Sequence, residues 1–400
     1  MDGVTLPDAP WRERPGLDRL TAALGPGMAR FVGGAVRDTL LGLAVTDIDL
    51  ATPHPPERVV ELLERAGIRA VPTGIAHGTI TAISSGTVVE VTTLRRDVAT
   101  DGRHATVAYT ADWQADAARR DFTINALYAD PMSGHVFDYF GGLADLERRH
   151  IRFIGDPLQR IAEDHLRILR FFRFLARFGD TPDAAAIAAC TARANDLMAL
   201  SRERIRDELL KLLVARDAVR VAGLMVEHAI LKPVLPEIDA GGVARLVDLA
   251  GAEALAGIVP DAIRRLAALL PRDAEVNAAA GNRLKLSNAE KQALASAIGD
   301  DLDAGPRPLA YRIGTERAID RLLLAGEPHR AAAIAGWTPP RLPLTGGALI
   351  DRGLRKGPDV ARALRRVEDQ WVAEGFPDAA RAGAIADQVV AELLAPGSSA

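Results

Sequence analysis

The residues with the clearest capacity for chemistry lie in the first half of the chain. Asp47 and Asp49 flank Ile48 and are followed by Leu50 and Ala51. On an extended strand, residues i and i+2 face the same side, so the two carboxylates point together. Like charges held side by side repel unless a cation sits between them. Oxygen donors at this spacing suit Mg2+, which fills its remaining positions with water and substrate phosphates. An isolated Asp-x-Asp can equally be an acidic strand end in solvent. Glu90 stands within Val88, Val89, Val91 and Thr92, where a lone acid is out of keeping with a β-branched run. It is either the solvent-facing side of an alternating strand or a third carboxylate turned toward the same cation.

Several groups could bind a phosphorylated ligand. Gly33-Gly34 follows the apolar pair Phe31-Val32 and leads into a helix expected from about Ala35, with Arg37 one turn on. Glycine lets a backbone approach a ligand closely, and the free N–H groups at a helix start attract phosphate. Arg119-Arg120 precedes Asp121 and Asn125. The arginines could pair with Asp116 at the surface or clamp a triphosphate, leaving Asp121 and Asn125 for a ribose; the planar guanidinium fork suits phosphate.

A third group starts at Asp156-Pro157, where one helix is expected to carry Glu163, Asp164, Arg167, Arg170 and Arg173. Asp164 and Arg167, at i and i+3, would be neighbours on one face, either as an ordinary surface ion pair or as a reader of bases. A carboxylate accepts from the amino group that cytosine and adenine share, and a guanidinium donates to the adjacent ring nitrogen. Uracil and guanine would leave both side chains unpaired, at about 1–3 kcal/mol per buried group. Arg170 and Arg173 continue the positive row.

These residues need a scaffold. β-rich runs at Ala29–Val32, Asp47–Ala51, Ile68–Pro72, Gly78–Ile83 and Thr87–Thr93, with a helix at Pro56–Ala66, predict a small mixed sheet with helices. Arg95 to His104 is polar and lacks an apolar period, which predicts a mobile loop. From about Asp156 the apolar period becomes helical and stays so. Ser201 reads as an N-cap before the stripe Ile205, Leu209, Leu212 and Leu213. The expected class is α+β: a head over residues 1–145, a helical neck over 146–230 and a helical body and tail over 231–400.

Composition narrows the setting. The 400 residues are 48% hydrophobic but only 4% aromatic, so aliphatic side chains must build the core. A net charge of -4 excludes a globally basic nucleic-acid binder and leaves only local basic surface. The densest such cluster is Arg352, Arg355, Lys356, Arg362, Arg365 and Arg366. With Cys190 as the lone cysteine, no intramolecular disulfide can form, and its apolar surroundings predict an inert thiol. Neither a signal peptide nor an 18-residue apolar run is apparent, so a soluble cytoplasmic protein with no membrane partner is expected. His77 and His104 pair with no evident nucleophile and read as loop or strand polar residues.

Taken in order, Gly33-Gly34 with Arg37-Asp38, Asp47-x-Asp49, Arg119-Arg120-Asp121 with Asn125, Asp138 with Gly141-Gly142 and Asp145, Glu163-Asp164-x-x-Arg167, and Ser201-x-Glu203-Arg204-Ile205 form a pattern. It resembles the class II tRNA nucleotidyltransferase and bacterial poly(A) polymerase family, over roughly Phe31 to Leu213. Six ordered motifs are far more specific than any one of them. The resemblance implies template-independent addition of C, C and A to a tRNA 3′ end from CTP and ATP. Asp47 and Asp49 would hold two Mg2+ ions, with Glu90 as a third ligand. Gly33, Gly34, Arg37 and Arg120 would contact the incoming nucleotide, with Asp121 and Asn125 near its ribose, and Asp164 and Arg167 would read its base, assisted by Arg170 and Arg173. Arg95 to His104 would be the loop used in switching from C to A. A looser C-terminal likeness includes Gly346, Gly353, Gly357 and Pro358. The alternatives are poly(A) synthesis, partial CC or A addition, or a catalytically silent RNA-binding protein.

Overall fold

The structure, a computed structural model, describes residues 3–75, 78–100 and 105–395. His77 and His104 lie outside these residues. The chain divides into two compact units, residues 1–236 and 237–400. The first carries a mixed sheet followed by helices and the second is helical, the α+β arrangement expected.

In chain order the first unit contains α1 (Leu17–Leu24), β1 (Arg30–Val32), α2 (Gly34–Leu40), β2 (Asp49–Thr52), α3 (Pro56–Arg65), β3 (Arg69–Gly74), β4 (Thr79–Ser84) and β5 (Thr87–Thr93). Next come β6 (Arg95–Thr100), β7 (Ala105–Tyr109), α4 (Trp113–Ala118), β8 (Leu127–Ala129) and β9 (Val136–Asp138). Helices α5 (Gly142–Glu147), α6 (Pro157–Glu163), α7 (Arg167–Phe178), α8 (Ala184–Ala192), α9 (Arg202–Leu213) and α10 (Ala218–Glu227) follow, with a short parallel pair of β10 (His150–Ile151) and β11 (Thr181–Pro182) among them. Seven strands form one sheet in the order β3-β4-β5-β2-β1-β8-β9.

Two features of the sheet place the acids. Ser85 and Gly86 both have positive φ, 49° and 85°, and link β4 to β5 as a two-residue turn whose twist matches the strands. That turn sets Thr81 opposite Glu90. In β5, Val89 and Val91 are buried while Val88 and Glu90 are exposed, so Glu90 is on the open face of an alternating strand. The second feature is parallel pairing of β2 with β5, which puts Asp49 directly beside Glu90. A parallel pair needs a crossover. Here α3 supplies part of it, packing its buried Val59 and Leu63 against β3, β4 and β5.

Two sequence expectations are corrected. Residues 95–100 are not loop: β6 pairs antiparallel with β7, and only Asp101–His104 of that stretch fall outside the described residues. Main-chain pairing makes this ribbon, so it needs no apolar face. The expected continuous helix through Asp164 is also broken into α6 and α7. Asp164 is extended (φ −152°, ψ 108°), its Oδ1 accepts from Leu166 N at 3.1 Å and its carbonyl accepts from Arg167 N at 3.0 Å. An Asp side chain that captures a nearby N–H competes with the helical bond there. Asp164 and Arg167 therefore do not share a helix face. Ser201 caps α9 as expected, accepting from Arg204 N.

In the second unit, a core of Leu349, Val367, Trp371, Ile385 and Val389 joins the last helices. Buried Glu253 accepts from both Arg264 and Arg265. No helix among the described residues is long and apolar enough to cross a membrane. Cys190 is fully buried, and burial holds its thiol well above the usual range.

Candidate active site

Asp47, Asp49 and Glu90 line one open cleft of about 820 Å3. Asp47 lies just before β2 and is exposed; Ile48 between the two aspartates is buried and anchors them. Glu90 N donates to the Ile48 carbonyl at 3.0 Å, which locks the two acid-bearing strands at this point. The Asp49 carboxyl is pushed up to about 6: burial acts first, Glu90 and Asp47 add repulsion, and only Arg120 pulls the other way. No group of three or more His, Cys, Asp and Glu among the described residues encloses a metal by itself. Mg2+ seldom uses such an enclosure, since it keeps waters and binds through one or two carboxylates plus phosphates. An uncompensated pair of hard oxygen donors opening on a cleft fits that ion.

On the β1 side of these acids lie Gly33 and Arg120. Gly33 has φ +66°, and a Cβ there would come within 3.6 Å of Arg120 Nη1 and of the Asn125 carbonyl. Arg120 is aimed by buried Asp116, which receives its Nη2 at 3.1 Å, and by the Tyr128 hydroxyl, which receives its Nε at 3.1 Å. Tyr128 in turn donates to Asp116 at 2.7 Å. Arg119 also pairs with Asp116. Burial would raise the Asp116 carboxyl, but Arg120 and Arg119 outweigh it and hold it at about 2. The sequence offered a surface ion pair or a phosphate clamp for these arginines; the structure shows the ion pair, in a buried form.

Arg37 is buried and already engaged. It donates to Asp38 at 2.8 Å and to Asn125 Oδ1 at 2.5 Å, and it lies over the Phe178 ring at 4.3 Å. Asn125 donates to Asp121 at 3.0 Å, and Arg170 donates to the other Asp121 oxygen at 2.8 Å. Arg37, Asn125, Asp121 and Arg170 thus form one chain joining α2 to α7. Burial would raise the Asp121 carboxyl, yet Arg170 and its hydrogen bonds keep it low. Arg173 donates to Glu208 of α9 at 2.5 Å.

The expected partners of Asp164 and Arg167 are exchanged. Asp164 Oδ2 accepts from Arg204 at 2.9 Å, while Arg167 pairs with Glu163 and donates to the carbonyls of Arg160 (2.9 Å) and Arg119 (3.0 Å). Sequence reasoning named Asp116 only as a surface partner of the arginines, and it missed Tyr128, Glu208 and Arg204 as organising residues. It also missed Arg14, which donates to the Val45 and Thr46 carbonyls at 3.1 and 3.2 Å, just ahead of Asp47. Arg204 stood in a quoted motif; the others had no local signal. In the second unit, Arg352, Arg362 and Arg366 pair with Asp387, Asp359 and Glu392. Arg355, Lys356 and Arg365 of the same cluster are exposed.

Residues 29–152 match the Poly A polymerase head domain, and residues 181–241 match the probable RNA and SrmB-binding site of polymerase A. The CCA tRNA nucleotidyltransferase 1, mitochondrial, of Mus musculus is 35% identical over 367 residues, covering 87% of this chain and 83% of the mouse protein. The CCA-adding enzyme of Limosilactobacillus fermentum is 33% identical, covering 92% and 94%. Among solved structures, the Bacillus stearothermophilus CCA-adding enzyme in complex with CTP is similar at a TM-score of 0.69 and 28% identity, covering 89% of this chain and 91% of that one.

Proposed function

Because this chain belongs to the family of class II CCA-adding nucleotidyltransferases and bacterial poly(A) polymerases, we propose that it adds C, C and A to the 3′ end of tRNA from CTP and ATP without a nucleic-acid template. The transferase chemistry rests on one observation above all. Asp47, Asp49 and Glu90 share a cleft, and burial plus mutual repulsion raise Asp49 despite the opposing pull of Arg120. Such a cluster is stabilised by a divalent cation, and Asp47 and Asp49 would hold Mg2+, with Glu90 beside them.

When bound there, Mg2+ supplies Lewis-acid activation of the RNA 3′-hydroxyl and neutralises charge on the triphosphate and departing pyrophosphate. The chain's own residues supply position. Gly33 keeps the backbone clear of side-chain bulk where the triphosphate approaches, and Arg120 meets its charge with a guanidinium already oriented by Asp116 and Tyr128. Pre-orientation removes reorganisation from the reacting step. The Arg37, Asn125, Asp121 and Arg170 chain fixes the helix that brings Arg167 toward the same side as Arg119. Asp164 and Arg167 read the base, each held by an independent partner, Arg204 and Glu163.

We assign residues 1–145 to the catalytic head, 146–230 to the neck and 231–400 to a body and tail that bind tRNA, with Arg355, Lys356 and Arg365 as candidate phosphate contacts. The cytoplasmic setting read from the sequence belongs to the same proposal; the mouse relative carries a mitochondrial name. One assay tests the activity. A tRNA transcript ending at its discriminator base, given labelled CTP, ATP and Mg2+, gains three nucleotides, and gains none from UTP or GTP. A long A ladder on unrelated RNA would establish poly(A) synthesis instead, and no extension of any RNA would overturn the activity.

A further inference from the structure

The cleft that holds the carboxylates continues past them. Its lining also includes Val88, the turn at Gly86 and Arg14. We propose that this part of the cleft seats the 3′-terminal nucleotide of the RNA, and that Arg14 binds the phosphate on that nucleotide's 5′ side. The assignment rests on the proposed nucleotide addition and names where the acceptor strand lies.

Direction comes from the sheet order. Gly33 and Arg120 are on the β1 side of Asp49, whereas Glu90 and the cleft are on the β5 side. In-line displacement puts the attacking and leaving oxygens on opposite sides of the phosphorus. With the triphosphate on the β1 side, the attacking 3′-hydroxyl must come from the β5 side. The wall there suits a nucleotide: Val88 is 53% exposed, an apolar surface on the same face as Glu90.

Arg14 supplies the charge. A guanidinium has five N–H donors. The Val45 and Thr46 carbonyls each take a bond from Arg14, at 3.1 and 3.2 Å, and among the described residues no carboxylate pairs with it. Arg12, Arg119 and Arg120 by contrast each have an aspartate partner. Arg14 is thus a partly buried cation that forms no ion pair among the described residues, in a cleft that it shares with Asp47, Asp49 and Glu90. A phosphate would give its free N–H groups an ion-pair partner. Its hold on the two carbonyls ahead of Asp47 also ties RNA engagement to the placement of a candidate metal ligand.

The test compares wild type, Arg14→Ala and Arg14→Lys as full-length proteins, each checked for an unchanged melting transition. KM for a tRNA transcript lacking CCA and KM for CTP are measured across a range of salt. Arg14→Ala should raise KM for RNA roughly tenfold, as expected for a lost charge-assisted contact, and leave KM for CTP within about twofold. Loss of one phosphate contact should also make the log–log salt dependence of RNA KM shallower by about 0.7, and Arg14→Lys should restore that slope because it keeps the charge. A purely structural role would change kcat or both KM values and leave the slope alone; that result overturns the assignment, as does an unchanged KM for RNA in Arg14→Ala. Either result with a wild type that still extends tRNA overturns Arg14 alone. A wild type that extends no RNA overturns the activity and this assignment together.

Discussion

Asp116 and Asp49 belong to the same compact unit, and burial pushes both carboxyls upward. Asp116 receives the Arg95 backbone N–H, both Arg119 and Arg120, and the Tyr128 hydroxyl, and ends at about 2. Asp49 has Glu90 and Asp47 pushing it up and only Arg120, at a distance, pulling it down, and ends at about 6. Where the chain uses an acid as structure, it surrounds the acid with donors, as it does again at Asp121, Glu163 and Glu208. Among the described residues, none of the cleft acids Asp47, Asp49 and Glu90 forms an ion pair. Burial alone therefore does not identify a binding carboxylate; the missing counter-charge does.

The same substitution should act in opposite ways at the two positions. The largest effect is on turnover. Asp49→Asn should lower kcat at least ~10³-fold, about 4 kcal/mol of barrier, in a primer-extension assay. Extension at the wild-type rate would remove Asp49 from the chemistry. Next comes Asp116→Asn, which leaves Arg119 and Arg120 without their shared anion and should cost roughly 3 kcal/mol in chemical denaturation. The sign with pH follows from its depressed carboxyl. Its contribution is complete above the unfolded value of 3.8 and is lost as pH falls toward about 2, so the variant should lack the wild-type loss of stability in that window.

The smallest effect sharpens the contrast most. A raised carboxyl destabilises the folded, ionised state, so Asp49→Asn should stabilise the metal-free protein at neutral pH. The gain is about 1 kcal/mol once partial exposure is discounted, or roughly 2–4 °C in the transition of the first unit. It should fade as pH falls from about 6 toward 3.8, where the wild-type carboxyl takes up its proton in the folded and then the unfolded chain. A thermal scan in EDTA across that range reads it directly, and a lower melting point for Asp49→Asn would show that Asp49 has a stabilising partner after all.

Local pattern carried much of this into the sequence. Strands β2 to β5 lie in runs that could be read, three-residue β1 could be read because Gly33-Gly34 ends it, and Asp49 and Glu90 could be suspected because each interrupts such a run. β8 and β9 have three residues each, too few for a period to show. The ribbon of β6 and β7 is held by main-chain pairing that leaves no mark on side-chain type. Asp164 and Arg167 misled for a different reason: spacing implies adjacency only along an unbroken helix, and Asp164 is the residue that breaks it. The bonds from Arg170 to Asp121, Arg204 to Asp164 and Arg14 to Val45 join residues 49, 40 and 31 positions apart. No local pattern encodes such distances; they follow only once the sheet and helices have packed.

The turn at Ser85 and Gly86 carries a consequence of its own. A strand has only two phases, and adding or removing one residue converts one into the other. If β5 slipped by one residue against β4 and β2, Glu90 would rotate under the sheet, where Val59 and Leu63 are buried, and Val89 would take its place in the cleft. Whether Glu90 faces the cleft thus depends on the register of β5 as a whole. Point substitutions in this ribbon leave that register alone, whereas an inserted residue must be absorbed in the turn or slip the strand, so the sequence around the turn should tolerate exchange of residues better than a change in their number.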